Sequence, residues 1–372
     1  TFSGVAISGE ILESASSSRV RIQGATTFTT LRLRGPNSTV GFENGYTLTG
    51  QVVADGATGT GFVEAISNGT LIVGPAGSIS LAPGSGMGLG LMQAIFFGSG
   101  GLDVRGTVSN QGAAGRTLNI TPMSLTVAST GRIENVGGGT TTVGVTANPQ
   151  AWASAGTIAV SAGLITLNDA WTNTGTFDVS GTGRLDLAGS FTSAGIGTIS
   201  RSGGTIAIRG AWNNAGGFAL NATTGSFLMQ TGVVTGGTLS VSGGAGLDFT
   251  ATDNQLIGVA YGGEIVLAAP SSRFRFGAGT TATAVRLQAS GTSVGFPSGA
   301  VINLPIIAEG SGSGSRMVEV FGGPGPLTIG PAGSVTLAEL REKRAALLAR
   351  IREIVTSANG KTYTRRLRAD AA

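Results

Sequence analysis

At 372 residues, 41% hydrophobic and 11% charged, the chain can bury a sizeable core, yet it carries less than half the ~25% charge usual in globular domains. Cys and His are both absent, which excludes disulfides, thiolate metal sites, His-activated nucleophiles and His-based acid–base chemistry. The 65 Gly would suggest disorder or collagen, but the chain is too hydrophobic for the first and lacks a Gly-X-Y period for the second, which leaves ordered β structure rich in turns.

The chain opens at Thr1 without a Met or a basic, apolar leader, and so reads as a processed product or an excised piece. GVAISGEI (Gly4 to Ile11) returns as GVAYGGEI (Gly258 to Ile265), and SSRVRI (Ser17 to Ile22) as SSRFRF (Ser271 to Phe276), both at an offset of 254. The same offset relates Leu31-Arg32-Leu33 to Val285-Arg286-Leu287 and Val40-Gly41-Phe42 to Val294-Gly295-Phe296; GPAGSISLA (Gly74 to Ala82) matches GPAGSVTLA (Gly330 to Ala338) at 256. Residues 1–338 are therefore about one and a third copies of a unit of roughly 255 residues, the second beginning near 255. A duplicated enzyme domain would show the same arithmetic, so the repeat alone does not decide against catalysis.

The longest apolar run, Met87 to Phe97, is too short and glycine-rich to span a bilayer, and no transmembrane segment is expected. Farther on, Trp152, Trp171, Phe191 and Trp212 recur at intervals of 19, 20 and 21 residues. A strand follows each of them, three of the four opening on Gly-Thr, and then a second short strand such as Leu164–Leu167 or Arg184–Leu187. One such period is one coil of an all-β, parallel β-solenoid, with inward residues stacking on their equivalents one rung away and Gly and Asn supplying left-handed corners. At ~20 residues per coil and ~4.8 Å per rung, about 335 residues would make a rod of some 16 or 17 rungs, roughly 80 Å long. An antiparallel sandwich or barrel array is the rival, but hairpin dipeptides are scarce, with Asn44-Gly45, Asn68-Gly69 and Asp55-Gly56 the exceptions.

Candidate chemistry is thin. Gly243 to Phe249 matches the opening of a calcium-binding β-roll repeat, but it occurs once and one turn cannot complete such a site. Asp169, Asp178 and Asp186 would suit a polysaccharide-cleaving pair only if they cluster on one face; Asp178 and Asp186 alternate with apolar neighbours and so point outward, into solvent. Arg19 and Arg21, Arg32 and Arg34, and Arg273 and Arg275 alternate in the same way and form an outward stripe. Arg19, Arg21, Arg273 and Arg275 are the candidate ligand-binding residues, suited to acidic glycans, although such a stripe also keeps a sheet edge soluble. The Trp side chains could stack on sugars if exposed, but their one-per-coil spacing favours an aromatic stack inside or at a corner of the coil. Phosphate loops, zinc spacings and nucleic-acid modules are missing, so no metal, cofactor or nucleic-acid partner is expected.

After Ala338 the pattern breaks into ELREKRAALLARIREIV, which predicts a helix capped by Thr336 and Glu339. Leu340, Leu347, Leu348, Ile351 and Val355 form its apolar stripe, a candidate oligomerisation face or a cover for the last rung. This tail, 339–372, holds 9 of 23 basic and 4 of 19 acidic residues, leaving 14 basic against 15 acidic in the body, so the pI near 10.1 belongs to the tail.

The phrases LDVRGTVSNQG (Leu102 to Gly112), LTVASTGRIENVG (Leu125 to Gly137), AWTNTGTFDVSGTGRLDLAG (Ala170 to Gly189) and LTIGPAGSV (Leu327 to Val335) carry a resemblance. In repeat style, over roughly residues 60 to 340, the chain resembles large bacterial surface proteins of the filamentous haemagglutinin and autotransporter-passenger type. The resemblance implies a right-handed β-helix exported to the cell surface, acting in adhesion or as a stalk. The chain departs from the autotransporter pattern in reading as a basic helix and Asp370-Ala371-Ala372 where those proteins carry a membrane barrel. The expected function is a non-catalytic extracellular adhesive or structural solenoid, self-associating into fibres or arrays or meeting a glycan or cell-surface receptor. A polysaccharide-binding or polysaccharide-cleaving β-helix is the alternative.

Overall fold

The computed structural model describes residues 1–93, 95–98, 100–144, 150–310 and 314–337. Leu340, Leu347, Leu348, Ile351 and Val355 lie outside the described residues. Short strands that pair in parallel make up nearly all the regular structure, and the fold is a β-solenoid. The chain forms two compact units, the first comprising 1–248, 252–263 and 276–281, and the second 249–251, 264–275 and 282 onward.

Parallel strands stack in three columns in the first unit, two of them belonging to one continuous sheet. Arg19–Gln23, Thr39–Phe42, Thr60–Ala65 and Gly88–Leu91 follow one another in one column. Thr27–Leu33, Gln51–Ala54, Ser78–Leu81 and Thr107–Asn110 do so in a second. Thr47–Leu48, Thr70–Val73, Gly101–Val104, Ser124–Val127, Trp152–Ser154 and Trp171–Asn173 form the third, which begins only after the opening coils.

Alternation aims every second side chain inward, and parallel register then places like on like. Leu31, Val52, Ile79, Val108, Ile133, Ile158 and Phe177 succeed one another in register, all fully buried. Each contributes about 1.5–3 kcal/mol by leaving water, which is the main force holding one coil on the next.

Coil length varies more than a fixed period of ~20 allows. Trp152 and Trp171 are register partners 19 residues apart, whereas Leu71 and Leu102 are partners separated by 31 residues. The extra length of the long coil is the segment between Leu91 and Gly101, an excursion from the sheets.

Asparagine also does something other than expected at the corners. Asn37 and Asn68 take the left-handed conformation, with φ of 58° and 57°. Asn110, Asn135, Asn173 and Asn214 instead are fully buried and bind backbone. Asn110 Nδ2 donates to the Thr140 carbonyl at 3.0 Å, Asn135 Nδ2 to Gly139 and Leu164 carbonyls at 2.9 and 3.0 Å, and Asn173 Nδ2 to that of Ile196 at 3.1 Å. Each side-chain amide thereby ties its corner to a carbonyl of its own or a neighbouring coil, and its buried N–H donors are paired. At Gly189 the turn does need glycine: φ is +64°, and a Cβ would strike the Asp169 carbonyl of the coil before.

In the second unit, Glu264–Leu267, Ala284–Leu287, Pro305–Ala308 and Ser334–Leu337 pair in parallel, as do Ser293–Pro297 with Met317–Phe321 and Val301–Ile302 with Thr328–Ile329. These strands fall at the positions that the internal repeat assigns from the first copy.

Candidate functional site

The first unit carries two features built by side chains that recur from coil to coil, one on its outer face and one packed into the coil. One is built on the arginine stripe. Arg21, Gly41 and Glu64 are register partners across three successive strands, and so are Arg19, Thr39 and Phe62. The excursion after Leu91 folds back over this row. Glu64, fully buried, accepts backbone N–H groups from Ile95 at 2.5 Å, Phe96 at 3.0 Å and Phe97 at 2.5 Å. Three amides converging on one carboxylate are charge-assisted bonds that replace its hydration.

The rings complete the cover. The Arg19 guanidinium stands 3.5 Å from the Phe96 ring centroid and that of Arg21 5.1 Å from Phe97, both cation–π contacts. Phe97 rests on Gly41, where any Cβ would enter the ring. Arg19 and Arg21 thus hold a segment of their own chain. Arg273 and Arg275 occupy the matching strand in the second unit, paired with Ser293 and Gly295.

The second feature is the aromatic ladder. Trp152, Trp171, Phe191 and Trp212 stack with centroids 6.2, 4.5 and 5.9 Å apart, and all four are buried. The Nε1–H groups of Trp152 and Trp171 donate to the carbonyls of Asn168 and Ala188 at 2.9 Å, and that of Trp212 to Ser193 Oγ at 3.0 Å. The rings are therefore packed into the wall of the coil, each no more than 5% exposed. Trp152, Trp171, Phe191 and Trp212 themselves line an open groove of about 570 Å³, together with Thr172, Ser190, Thr192, Asn213 and Thr235.

Charged residues elsewhere are tied to one another. Arg32 bridges Glu10 and Asp55, and Arg34 reaches Asp55 at 3.0 Å. Burial alone would raise the Asp55 carboxyl, but hydrogen bonds and charge from Arg34 and Arg32 outweigh it and hold Asp55 below the ordinary range. The second unit repeats the arrangement: Arg286 lies between Glu264 at 2.6 Å and Glu309 at 3.1 Å, and Gln288 reaches Glu309 at 2.8 Å.

The expected solvated carboxylates resolve differently from one another. Asp178 faces outward and lies 3.9 Å from Arg132. Asp186 is outward by alternation but only 1% exposed, because Arg184 at 2.6 Å and Arg209 at 3.1 Å close over it. Asp169 is buried at a corner with φ of +66°. Asp178 and Asp186 lie on one strand, Thr176–Leu187, and pair with Ala159 and Thr166 of two different neighbouring strands, while Asp169 stands at a separate corner. In the calcium-like motif, burial pushes the Asp248 carboxyl up against the opposing pull of Arg201. Among the described residues there is no group of three or more acidic side chains placed to hold a metal ion, and no helix is long and apolar enough to cross a membrane.

Sequence reasoning missed Glu64. Its signal is faint: Phe62-Val63-Glu64-Ala65 reads as an ordinary strand with an outward Glu, and the amides it binds are more than 30 residues away.

The geometry defines a parallel β-solenoid with a self-covered arginine row and internal side-chain ladders. No protein-family model matches the chain, and neither a curated protein nor a solved structure does.

Proposed function

We propose that this solenoid is a non-catalytic structural or adhesive module, exported and displayed on a bacterial surface as part of a stalk, fibre or sheath. The observation that carries the reading is the way outward charge is spent. The Glu10–Arg32–Asp55 set, the Arg184–Asp186–Arg209 set and the Arg19–Phe96 and Arg21–Phe97 stacks each engage a charged side chain with its own chain. Acid–base hydrolysis needs two carboxyl groups facing one substrate with their protonation free to change. Side chains locked by ion pairs across coils serve instead to fasten coil to coil. The absence of Cys and the likeness in repeat style to exported adhesins support the location.

The test is to incubate the purified chain with acidic and neutral polysaccharides while scoring release of reducing ends, and in parallel to measure adhesion of cells displaying it. Adhesion or fibre assembly without product release is expected. Reducing-end release that disappears in Asp178→Asn or Asp186→Asn would overturn the reading.

A polysaccharide-binding role has one observation in its favour, the groove along the aromatic ladder. Its hydroxyl and amide groups on Thr172, Ser190, Thr192, Asn213 and Thr235 recur from coil to coil, a spacing to which a repeating sugar chain could register. Loss of glycan retention on a column by Asn213→Ala with Thr192→Ala would establish that second reading.

A further inference from the structure

The alternation that turns Trp171, Phe191 and Trp212 inward turns their neighbours outward. Parallel register sets those neighbours in two rows across the coils: Ala170, Ser190 and Ala211 in one, Thr172, Thr192, Asn213 and Thr235 in the other. All seven are exposed, and none of the residues lining the groove over the ladder is charged. Arg209, on the turn leading into Ala211, is held by Asp186 at 3.1 Å. The turn Ser193–Gly195 bounds the face beside Thr172, where a Cβ on Gly195 would stand 3.5 Å from it.

The polar groups of this face are unspent. Thr172, Ser190 and Thr235 make no side-chain hydrogen bond among the described residues. Thr192 Oγ1 accepts from the Gly195 N–H at 3.1 Å and keeps its own proton to donate. Asn213 Oδ1 accepts from the Ala215 N–H at 3.0 Å, which fixes the side chain and leaves its Nδ2 hydrogens available. Each of four successive coils therefore presents at least one donor or acceptor, at ~4.8 Å per coil and over about 14 Å in all. Beneath them the indoles are fixed by their Nε1–H bonds to Asn168, Ala188 and Ser193, so the rows are ordered before any ligand arrives.

We infer that this face binds a neutral, unbranched polysaccharide lying along the direction in which the coils stack. The inference rests on the polysaccharide-binding reading and gives that reading its ligand class. Sugar hydroxyls donate and accept, as do the Thr and Ser hydroxyls and the Asn213 amide, and the C–H faces of the sugar rings rest on the methyls of Ala170, Ala211 and the threonines. An acidic glycan finds no cation in the groove to meet its charge. Protein partners are anchored by large aromatic or Arg side chains in pockets, which this shallow face of small residues does not supply. A branch would strike the turn Ser193–Gly195.

The experiment is calorimetric titration of the full chain with linear β-1,4-linked glucose and mannose oligosaccharides of increasing length, and with oligogalacturonides as the acidic counterpart. Binding of a neutral series is expected, tightening with length until the four coils are spanned and indifferent to salt, since no exposed charge contributes. Thr172→Val with Thr235→Val keeps the branched shape, removes two hydroxyls that no part of the chain uses, and should weaken binding roughly tenfold. Hydrogen exchange on the unmodified chain gives a readout independent of any variant: the oligosaccharide should slow exchange in Ser190–Thr192 and Ala211–Asn213. Neutral binding that is unchanged in the double variant with protection confined to other strands would overturn the site and leave the polysaccharide-binding reading standing. Salt-sensitive binding of oligogalacturonides alone would overturn the ligand class. Binding of neither series would overturn both readings. Self-association of the chain, read by sedimentation and abolished by Ala211→Glu, would assign the face to a second copy and overturn the proposal.

Discussion

Val73, Ile79 and Leu81 in the first copy are 0% exposed, whereas their counterparts in the second, Ile329, Val335 and Leu337, are 55%, 49% and 53% exposed. The strands alternate alike, Ser-Ile-Ser-Leu in one copy and Ser-Val-Thr-Leu in the other. Gly101–Val104 and Thr107–Asn110 pair onto the first set and cover it. Among the described residues, Ser334–Leu337 pairs only with Pro305–Ala308. Sequence alternation decides which way a side chain points; the following coil decides whether it is buried. In a solenoid, stability is a sum of such neighbour terms.

The comparison breaks if matched truncations cost the same. Ile79→Ala should destabilise the first unit by about 2–5 kcal/mol, the range for deleting a buried aliphatic side chain. Val335→Ala should stay within about 0.5 kcal/mol, as at exposed positions generally. Urea unfolding followed by circular dichroism, with hydrogen exchange to localise the change, would read both. Equal losses would mean that Val335 is covered in solution.

Glu64 and Glu319 sharpen the same contrast on the outer face. Glu64→Gln removes the charge from three amide contacts and should cost about 1.5–3 kcal/mol locally. Exchange at the Ile95, Phe96 and Phe97 amides should accelerate by roughly ten- to a hundredfold in consequence. Glu319→Gln, at the matching register position opposite Gly295 and only partly buried, should leave exchange unaltered. Unchanged protection of the excursion in Glu64→Gln would remove the carboxylate from any role in holding it.

Much of this was legible in the sequence because stacking repeats its own chemistry. The interval from Trp152 to Trp171 to Phe191 to Trp212 is visible because each ring must sit on the one before. The offsets near 255 point to strands that do recur, from Arg19–Gln23 and Arg273–Phe276 onward. Local pattern could not supply what depends on distant contacts. The apolar run Met87 to Phe97 stands out by hydropathy, but nothing in it names Glu64 as its anchor. Asp186 reads as solvated because the cover supplied by Arg209 arrives a full coil later. Corner asparagines read as left-handed turn formers, yet most serve as buried donors, and the two roles have the same sequence signature.

The ion-pair ladder differs little between the copies and offers a smaller test. Asp55 is held below the ordinary carboxylate range, so the folded state binds its proton less readily than the unfolded chain does. The stability it contributes is therefore full above the ordinary carboxylate pKa of ~3.9 and is lost as pH falls through the lower folded value. Asp55→Asn should cost on the order of 1 kcal/mol at neutral pH, kept small by the half-exposed Arg34. The gap between variant and parent should close as the pH drops below the ordinary carboxylate range. A gap that persists there in urea titrations would assign the effect to packing.

The smallest effect isolates the arginine row itself. Arg19 and the Phe96 ring meet at the surface, with Phe96 37% exposed, so the contact is worth about 0.5–1 kcal/mol, the range for cation–π pairs at exposed sites. Phe96→Leu keeps apolar area and removes the π face; Arg19→Gln removes the cation. If the stack holds the excursion, each variant speeds exchange at the Phe96 amide by a few-fold and the double variant adds little more, because both delete one interaction. Additive effects would show that Phe96 packs on the sheet without Arg19, and the excursion would then be held by Glu64, by Phe97 on Gly41 and by the Arg21–Phe97 contact.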